Sequence, residues 1–155
     1  MTKKTAAPLK ATIELTVTAF HAIKDFSDPA RFCVISDPVI PAGGDAGGLV
    51  YQVPGDPRTI CVKKDPTGNP VHLEFNILPK TSYVAAGVIV NRNGLEDPSV
   101  DKENFKLGKV KKNKLILADC YTVGPAYWEL MIAIQKISSG EIGLIDPGVE
   151  NSEQA

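Results

Sequence analysis

Only two histidines, His21 and His72, are available as general bases in this 155-residue sequence. His72 stands two residues from Glu74 in VHLEFNIL, a spacing that on a strand puts both side chains on one face. A base beside a carboxylate is the minimal equipment of a hydrolase or isomerase, but catalysis also needs a nucleophile and a stabiliser of developing charge within reach. No motif signals either. G-x-S-x-G, H-E-x-x-H, the phosphate-binding loop and G-x-G-x-x-G are all missing, and GGDAGG lacks the lysine and helix start that a phosphate cradle needs. His21 follows Phe20 at the end of a strand-like stretch and reads as a loop residue. No catalytic residue, cofactor site or metal site is assigned, and the expectation is a protein that is not an enzyme.

Three other residue classes deserve the same test. Aspartate precedes six of the twelve prolines, at Asp28, Asp37, Asp56, Asp65, Asp97 and Asp146. Loop aspartates can bind calcium, yet the dense D-x-D-x-D spacing of a calcium loop is missing, and turn formation explains the pairs: proline keeps the residue before it out of the helical region, and aspartate accepts a hydrogen bond from a nearby downstream N–H. The basic run KLGKVKKNK, with Lys106, Lys109, Lys111, Lys112 and Lys114, fits phosphates or an acidic partner in principle; lysines that keep an exposed edge soluble are the simpler account. Cys33, Cys61 and Cys120 are odd in number and share no C-x-x-C spacing, so they read as small strand hydrophobes, with a Cys33–Cys120 bridge as the alternative in an oxidising compartment.

The elements that must carry these residues are strands. Apolar residues recur with period two: Ile13, Leu15, Val17 and Ala19 on one face of TIELTVTA; Val71, Leu73, Phe75 and Ile77 on the inner face of VHLEFNIL, with His72, Glu74 and Asn76 outside; Trp128, Leu130, Ile132 and Ile134 in YWELMIAIQ. YVAAGVIVN is apolar on both faces and is expected as a central strand, with Gly87 marking a bulge or a close backbone approach. Asn113 is expected at positive φ in a hairpin turn between FKLG and LILADCYT. HAIKDFSDPA and DPSVDKEN have room for a helical turn each. Nine or ten such strands, about ten residues apart, predict an all-β protein: an antiparallel immunoglobulin-like β-sandwich with little helix.

One domain is expected, over residues 10–151, with short flexible segments at 1–9 and 152–155. Hydrophobic residues make up 43% and charged residues 23%, with a formal net charge of -1, which favours neither disorder nor a nucleic-acid partner. MTKKTAAPLK is not followed by the apolar core of a secretory signal, and no apolar run is long enough for a membrane helix, so the expected location is cytoplasmic, without membrane contact.

The stretch EIGLIDPGVEN, residues 141–151, reads as the last strand, bent at Asp146-Pro147 because proline removes a ladder donor. Ile142, Leu144, Asp146, Pro147, Val149 and Asn151 are expected to form a border to which a partner chain attaches, and ATIELTVTAF is a second candidate edge. Together TIELTVTA, the SDP that closes the second segment, and the terminal DPGVEN resemble the DP-EP family of small bacterial all-β proteins of unassigned function, with Asp146, Pro147, Val149 and Asn151 matching its Asp-Pro-x-(Val/Ile)-x-Asn ending. The resemblance implies a bacterial β-sandwich and supplies no catalytic residues. The function expected is binding to a protein partner or self-assembly as a homo-oligomer. The alternative is a small-molecule or carbohydrate-binding module using the PAGGDAGG loop and the rings of Tyr121 and Tyr127.

Overall fold

The computed structural model describes residues 9–24, 32–91, 104–122 and 124–152, with backbone alone for 89–91. Among these residues the chain is all-β, with eleven strands: β1 (Leu9–Ala19), β2 (Val34–Ile35), β3 (Val50–Val53), β4 (Asp56–Val62), β5 (Val71–Leu78), β6 (Tyr83–Asn91), β7 (Phe105–Lys111), β8 (Lys114–Asp119), β9 (Ala126–Lys136), β10 (Ile142–Ile145) and β11 (Gly148–Asn151). The first sheet runs β2-β1-β5-β8-β7. In the second, β9 is flanked by β6 on one side and by β10 and β11 on the other, and β11 leads on to β4 and β3.

Alternating residues of both sheets meet in one core. Ile13 and Leu15 of β1, Phe75 and Ile77 of β5 and Leu115 and Leu117 of β8 face Ile60 of β4, Trp128, Leu130 and Ile132 of β9 and Val149 of β11, all essentially without solvent contact. Trp128 takes the ring of Phe105 edge-on, with centroids 4.8 Å apart, a pairing worth about 1 kcal/mol beyond its buried area.

The purely antiparallel expectation does not hold: β1 runs parallel to β5 along Leu9–Thr16, and β11 runs parallel to β4. Period-two alternation records which face is buried and carries no information on the direction of the neighbour. Nor is β1 an open edge. On its far side it pairs with β2, and Glu14 and Ala11 make bridges to Val39 and Asp45, while Thr12 N donates to Gly44 O at 2.8 Å. The glycine-rich loop therefore lies along β1, with Ala46, Gly43, Gly47 and Gly48 at positive φ to make the necessary turns.

β6 is not the central strand that its composition suggests. It pairs within the sheet only with β9 among the described residues, and Ala86 is exposed. The bulge expected at Gly87 is present, between Ala85 and Gly87. In the β7–β8 hairpin the positive φ falls on Lys112 and not on Asn113, whose amide instead donates to Ile77 O at 3.0 Å and ties the turn to β5. DPSVDKEN lies outside the described residues except for Asn104, and HAIKDFSDPA is described only to Lys24, where no helix is formed.

The terminal segment is the largest correction. β10 and β11 line the same side of β9 in one unbroken register, from Ile142 opposite Gln135 to Asn151 opposite Ala126. Across the Asp146-Pro147 step the ladder continues, because Leu130 N donates to Pro147 O at 3.0 Å and only the proline donor is missing. β11 is held on both sides, by β9 and β4, with Val149 and Asn151 fully buried. Leu144 is covered as well: Phe32 bridges to it and Cys33 N donates to its carbonyl at 2.7 Å. Ile142 is partly exposed, but its carbonyl accepts from Ile23 N. Of the segment expected as a border, β11 is interior, with β4 against its outer side, whereas among the described residues β10 forms a ladder with β9 alone and is covered on its other side only by single contacts from residues 23 and 32–33.

A polar cluster stitches the end of the sandwich together. Asp119, at the end of β8 and 1% exposed, accepts from Asn104 Nδ2 at 3.1 Å and Tyr121 N at 3.0 Å, and Asn104 Oδ1 accepts from Asn151 of β11 at 3.1 Å. Burial pushes the Asp119 carboxyl up to about 6, partly opposed by these hydrogen bonds.

Candidate functional site

Three of the Asp-Pro pairs converge in space. Residues 32–38 leave β10 at Phe32 and Cys33, join β1 through β2, and reach Asp37-Pro38. Between this segment and the outer face of the second sheet lies a groove of about 380 Å³. Its sheet side is made by Tyr127 and Glu129 of β9, Asp146, Pro147 and Gly148, with Arg58 of β4 at one end. Asp56, which precedes Pro57, accepts from Thr59 Oγ1 at 2.7 Å beside it.

Each wall follows from local sequence. On β9 the inward Trp128 and Leu130 force Tyr127 and Glu129 outward, and Gly148 sits opposite Glu129 in register. A β-carbon at Gly148 would stand 2.5 Å from the Tyr127 hydroxyl oxygen, so the absence of a side chain is what lets the tyrosine ring lie on the sheet. Gly143 serves the opposite wall. A β-carbon there would come within 2.7 Å of Cys33 Sγ and 2.8 Å of the Phe20 ring, so this glycine permits residues 20–21 and 33 to close against β10.

The groove is acidic. Asp37, Glu129 and Asp146 line it against one guanidinium, Arg58, which pairs with Asp37 at 3.7 Å in an exposed and therefore weak ion pair. Tyr127 reads the field: its hydroxyl is held above its ordinary value by burial first and then by the negative charges of Glu129, Asp56 and Asp146, with a Thr59 hydrogen bond opposing. Among the described residues no group of three or more His, Cys, Asp or Glu is placed to hold a metal ion. Apolar surface accompanies the charge. Val34 is 57% exposed, and Phe32, Ile35, Pro38 and Pro147 also line the groove. Carboxylates beside an exposed valine and the half-buried Phe32 and Ile35 suit a ligand with both cationic and aliphatic parts.

A second, smaller cavity of about 260 Å³ lies on the outer face of the first sheet, where Lys109 and Lys111 of β7 and Lys114 and Ile116 of β8 surround Glu74. Glu74 is not the solvated strand residue its outward position implies. It is 8% exposed and pairs with Lys10 at 3.6 Å, because lysines of three strands fold over it. His72 does not line this cavity, so the His72/Glu74 pairing is not assembled into one site. His21 engages through its backbone, with its N–H donating to Cys33 Sγ at 3.3 Å.

The remaining sequence candidates are dispersed. Tyr121 donates its hydroxyl to Ser152 O and its ring lies against Gly124, whereas the Tyr127 ring lies against Gly148, so different partners hold the two rings. The PAGGDAGG loop is committed to β1 and does not line the groove. Asp65 makes a turn, accepting from Asn69 N at 3.2 Å and from Thr67 Oγ1. The three cysteines are free, Cys33 and Cys61 being buried and Cys120 partly so. Asp28 and Asp97 lie outside the described residues. Of the expected partner border, Asp146 and Pro147 do reach the groove, as part of its wall and not as an open strand edge.

No family model matches the chain, and no curated protein matches it closely enough to count as a relative. The site must therefore be read from its own chemistry. No helix among the described residues is long and apolar enough to cross a membrane.

Proposed function

We propose that this protein is a non-enzymatic binding module, an immunoglobulin-like sandwich of the DP-EP type, which recognises an extended basic segment of a protein partner in the cytoplasm. The observation that carries the reading is the groove beside β2, a short strand at the edge of its sheet among the described residues, where the carboxylates of Asp37, Glu129 and Asp146 surround exposed Val34 and half-buried Ile35. A lysine or arginine side chain fits such a surface with its aliphatic stem on Val34 and Ile35 and its charge toward Asp37, Glu129 or Asp146. The immunoglobulin-like assignment is supported by the placement of the end strands: β1 joins one sheet and β11 the other, each parallel to one neighbour while the remaining pairings are antiparallel.

Fluorescence anisotropy with a labelled, extended lysine-rich peptide tests the reading. Saturable binding by the wild type, weakened about tenfold or more by Asp37→Asn with Glu129→Gln, is expected, since removing charges at a rim acts on electrostatic attraction. Equal binding by the two proteins, or none by either, refutes it. A small-molecule or carbohydrate ligand is the second reading, favoured by the half-exposed Tyr127 ring among carboxylates on the sheet side of the groove. Stabilisation in a thermal-shift screen by a neutral sugar, lost in Tyr127→Ala, marks that outcome.

A further inference from the structure

The groove has a complement on the same molecule. β7 is the last strand of the first sheet, paired only with β8 among the described residues, so its outer backbone groups form an edge. Apart from Phe105 its residues are all exposed. Lys106, Lys109 and Lys111 stand there beside Leu107, 52% exposed, and Val110, and Lys112 and Lys114 continue the charge around the turn. Charge sign separates the two surfaces: lysines on the outer side of the first sheet, carboxylates against the outer side of the second. Each surface also carries exposed apolar side chains, Leu107 and Val110 on one and Val34 on the other.

We propose that the basic segment seated in the groove is the β7–β8 hairpin of a second copy of this chain, giving head-to-tail self-association. This rests on the reading of the groove as a site for basic segments. The contact is heterologous: the two surfaces differ and lie on opposite layers of the sandwich, so every bound pair still has one free groove and one free hairpin. Association therefore propagates, into a ring if the rotation per copy closes and into a chain if it does not. The bulge between Leu107 and Val110 twists the hairpin edge, which disfavours simple edge-to-edge pairing of two β7 strands and leaves side-chain docking as the route.

Two double variants separate the halves of the contact. Lys109→Glu with Lys111→Glu reverses the hairpin and leaves the groove intact; Asp37→Lys with Glu129→Lys reverses the groove and leaves the hairpin intact. Sedimentation velocity of the wild type at low salt shows concentration-dependent association that weakens about tenfold or more at high salt, as expected when screened charges drive the encounter. Neither variant associates with itself, because each then presents a hairpin and a groove of like charge, whereas in an equimolar mixture the native hairpin of one meets the native groove of the other and the two reversed surfaces are again opposite in sign, so association returns. Circular dichroism verifies that both are folded; the single exposed changes Lys109→Glu and Asp37→Lys replace any double variant that is not. A wild type that stays monomeric at low salt and high concentration overturns self-association, as does a mixture that forms no dimer or variants that associate as the wild type does. Peptide binding without self-association sinks this inference alone, whereas failure of the peptide to bind removes the groove reading beneath it.

Discussion

Asp119→Asn isolates the electrostatic strain held in the polar cluster. Asp119 Oδ1 accepts from Asn104 and Tyr121 and the Asn151 side chain also favours the charged form, but at 1% exposure these bonds only partly offset the cost of ionising away from water. Folding moves the carboxyl from 3.8 to about 6. Below the lower value both folded and unfolded chains hold the proton. Between the two values the unfolded chain loses it first, and stability falls with rising pH by about 1.4 kcal/mol per pH unit. Above about 6 the loss is complete, at roughly 3 kcal/mol, an order-of-magnitude figure set by the two-unit displacement. Asparagine keeps the acceptor oxygen and the shape but cannot ionise. Urea denaturation of both proteins at a series of pH values cancels every other titrating group in the difference. The asparagine variant is expected to gain on the wild type by a few kcal/mol, at most about 3, as pH rises from near 4 to 7. Parallel stability curves refute the claim that Asp119 is a buried, strained carboxylate.

Two further outcomes follow from packing. Gly143→Ala brings a methyl group within 2.7 Å of Cys33 Sγ and 3.0 Å of the His21 carbonyl, and the overpacking is expected to cost about 1–3 kcal/mol in urea denaturation, with Gly55→Ala, whose β-carbon meets nothing within 4 Å, as the neutral comparison. Alkylation of the native protein at pH 8, followed by peptide mass analysis, is expected to label Cys120 first. Burial, followed by the charge of Glu150, pushes the Cys61 thiol up to about 11, and burial also raises Cys33, so both hold little thiolate at that pH. Labelling of Cys61 ahead of Cys120 contradicts the described packing.

The parts legible in the sequence are those governed by local periodicity. The inner faces of β1, β5 and β9 follow directly from Ile13-Leu15-Val17, Val71-Leu73-Phe75-Ile77 and Trp128-Leu130-Ile132-Ile134. Gly87 announced its bulge, and the lysines of KLGKVKKNK do flank an exposed edge strand. What alternation cannot encode is which strand lies alongside. Hence β6, apolar on both faces, looked central although among the described residues it pairs only with β9, and residues 148–151 looked like a border although β4 lies against them in parallel. The same limit hid the burial of Glu74, which depends on lysines from β1, β7 and β8.

The groove was out of reach for a related reason. Its lining comes from residues 32–38, Arg58, Tyr127, Glu129 and residues 146–148, and no window of sequence holds more than one of these pieces. The Asp-Pro pairs were the only trace. Each is sufficiently explained as a turn, and it is the meeting of Asp37 and Asp146 with Glu129 across the outer face of the second sheet that adds chemistry to geometry.

Backbone amide mapping by NMR during titration with the lysine-rich peptide tests the central claim most directly. The account predicts shifts concentrated at residues 32–37, Tyr127, Glu129 and Gly148, which line the groove, and quiet signals from the loop at residues 42–48 that lies along β1. Shifts that cluster on that loop or around Tyr121, with the groove unmoved, contradict it.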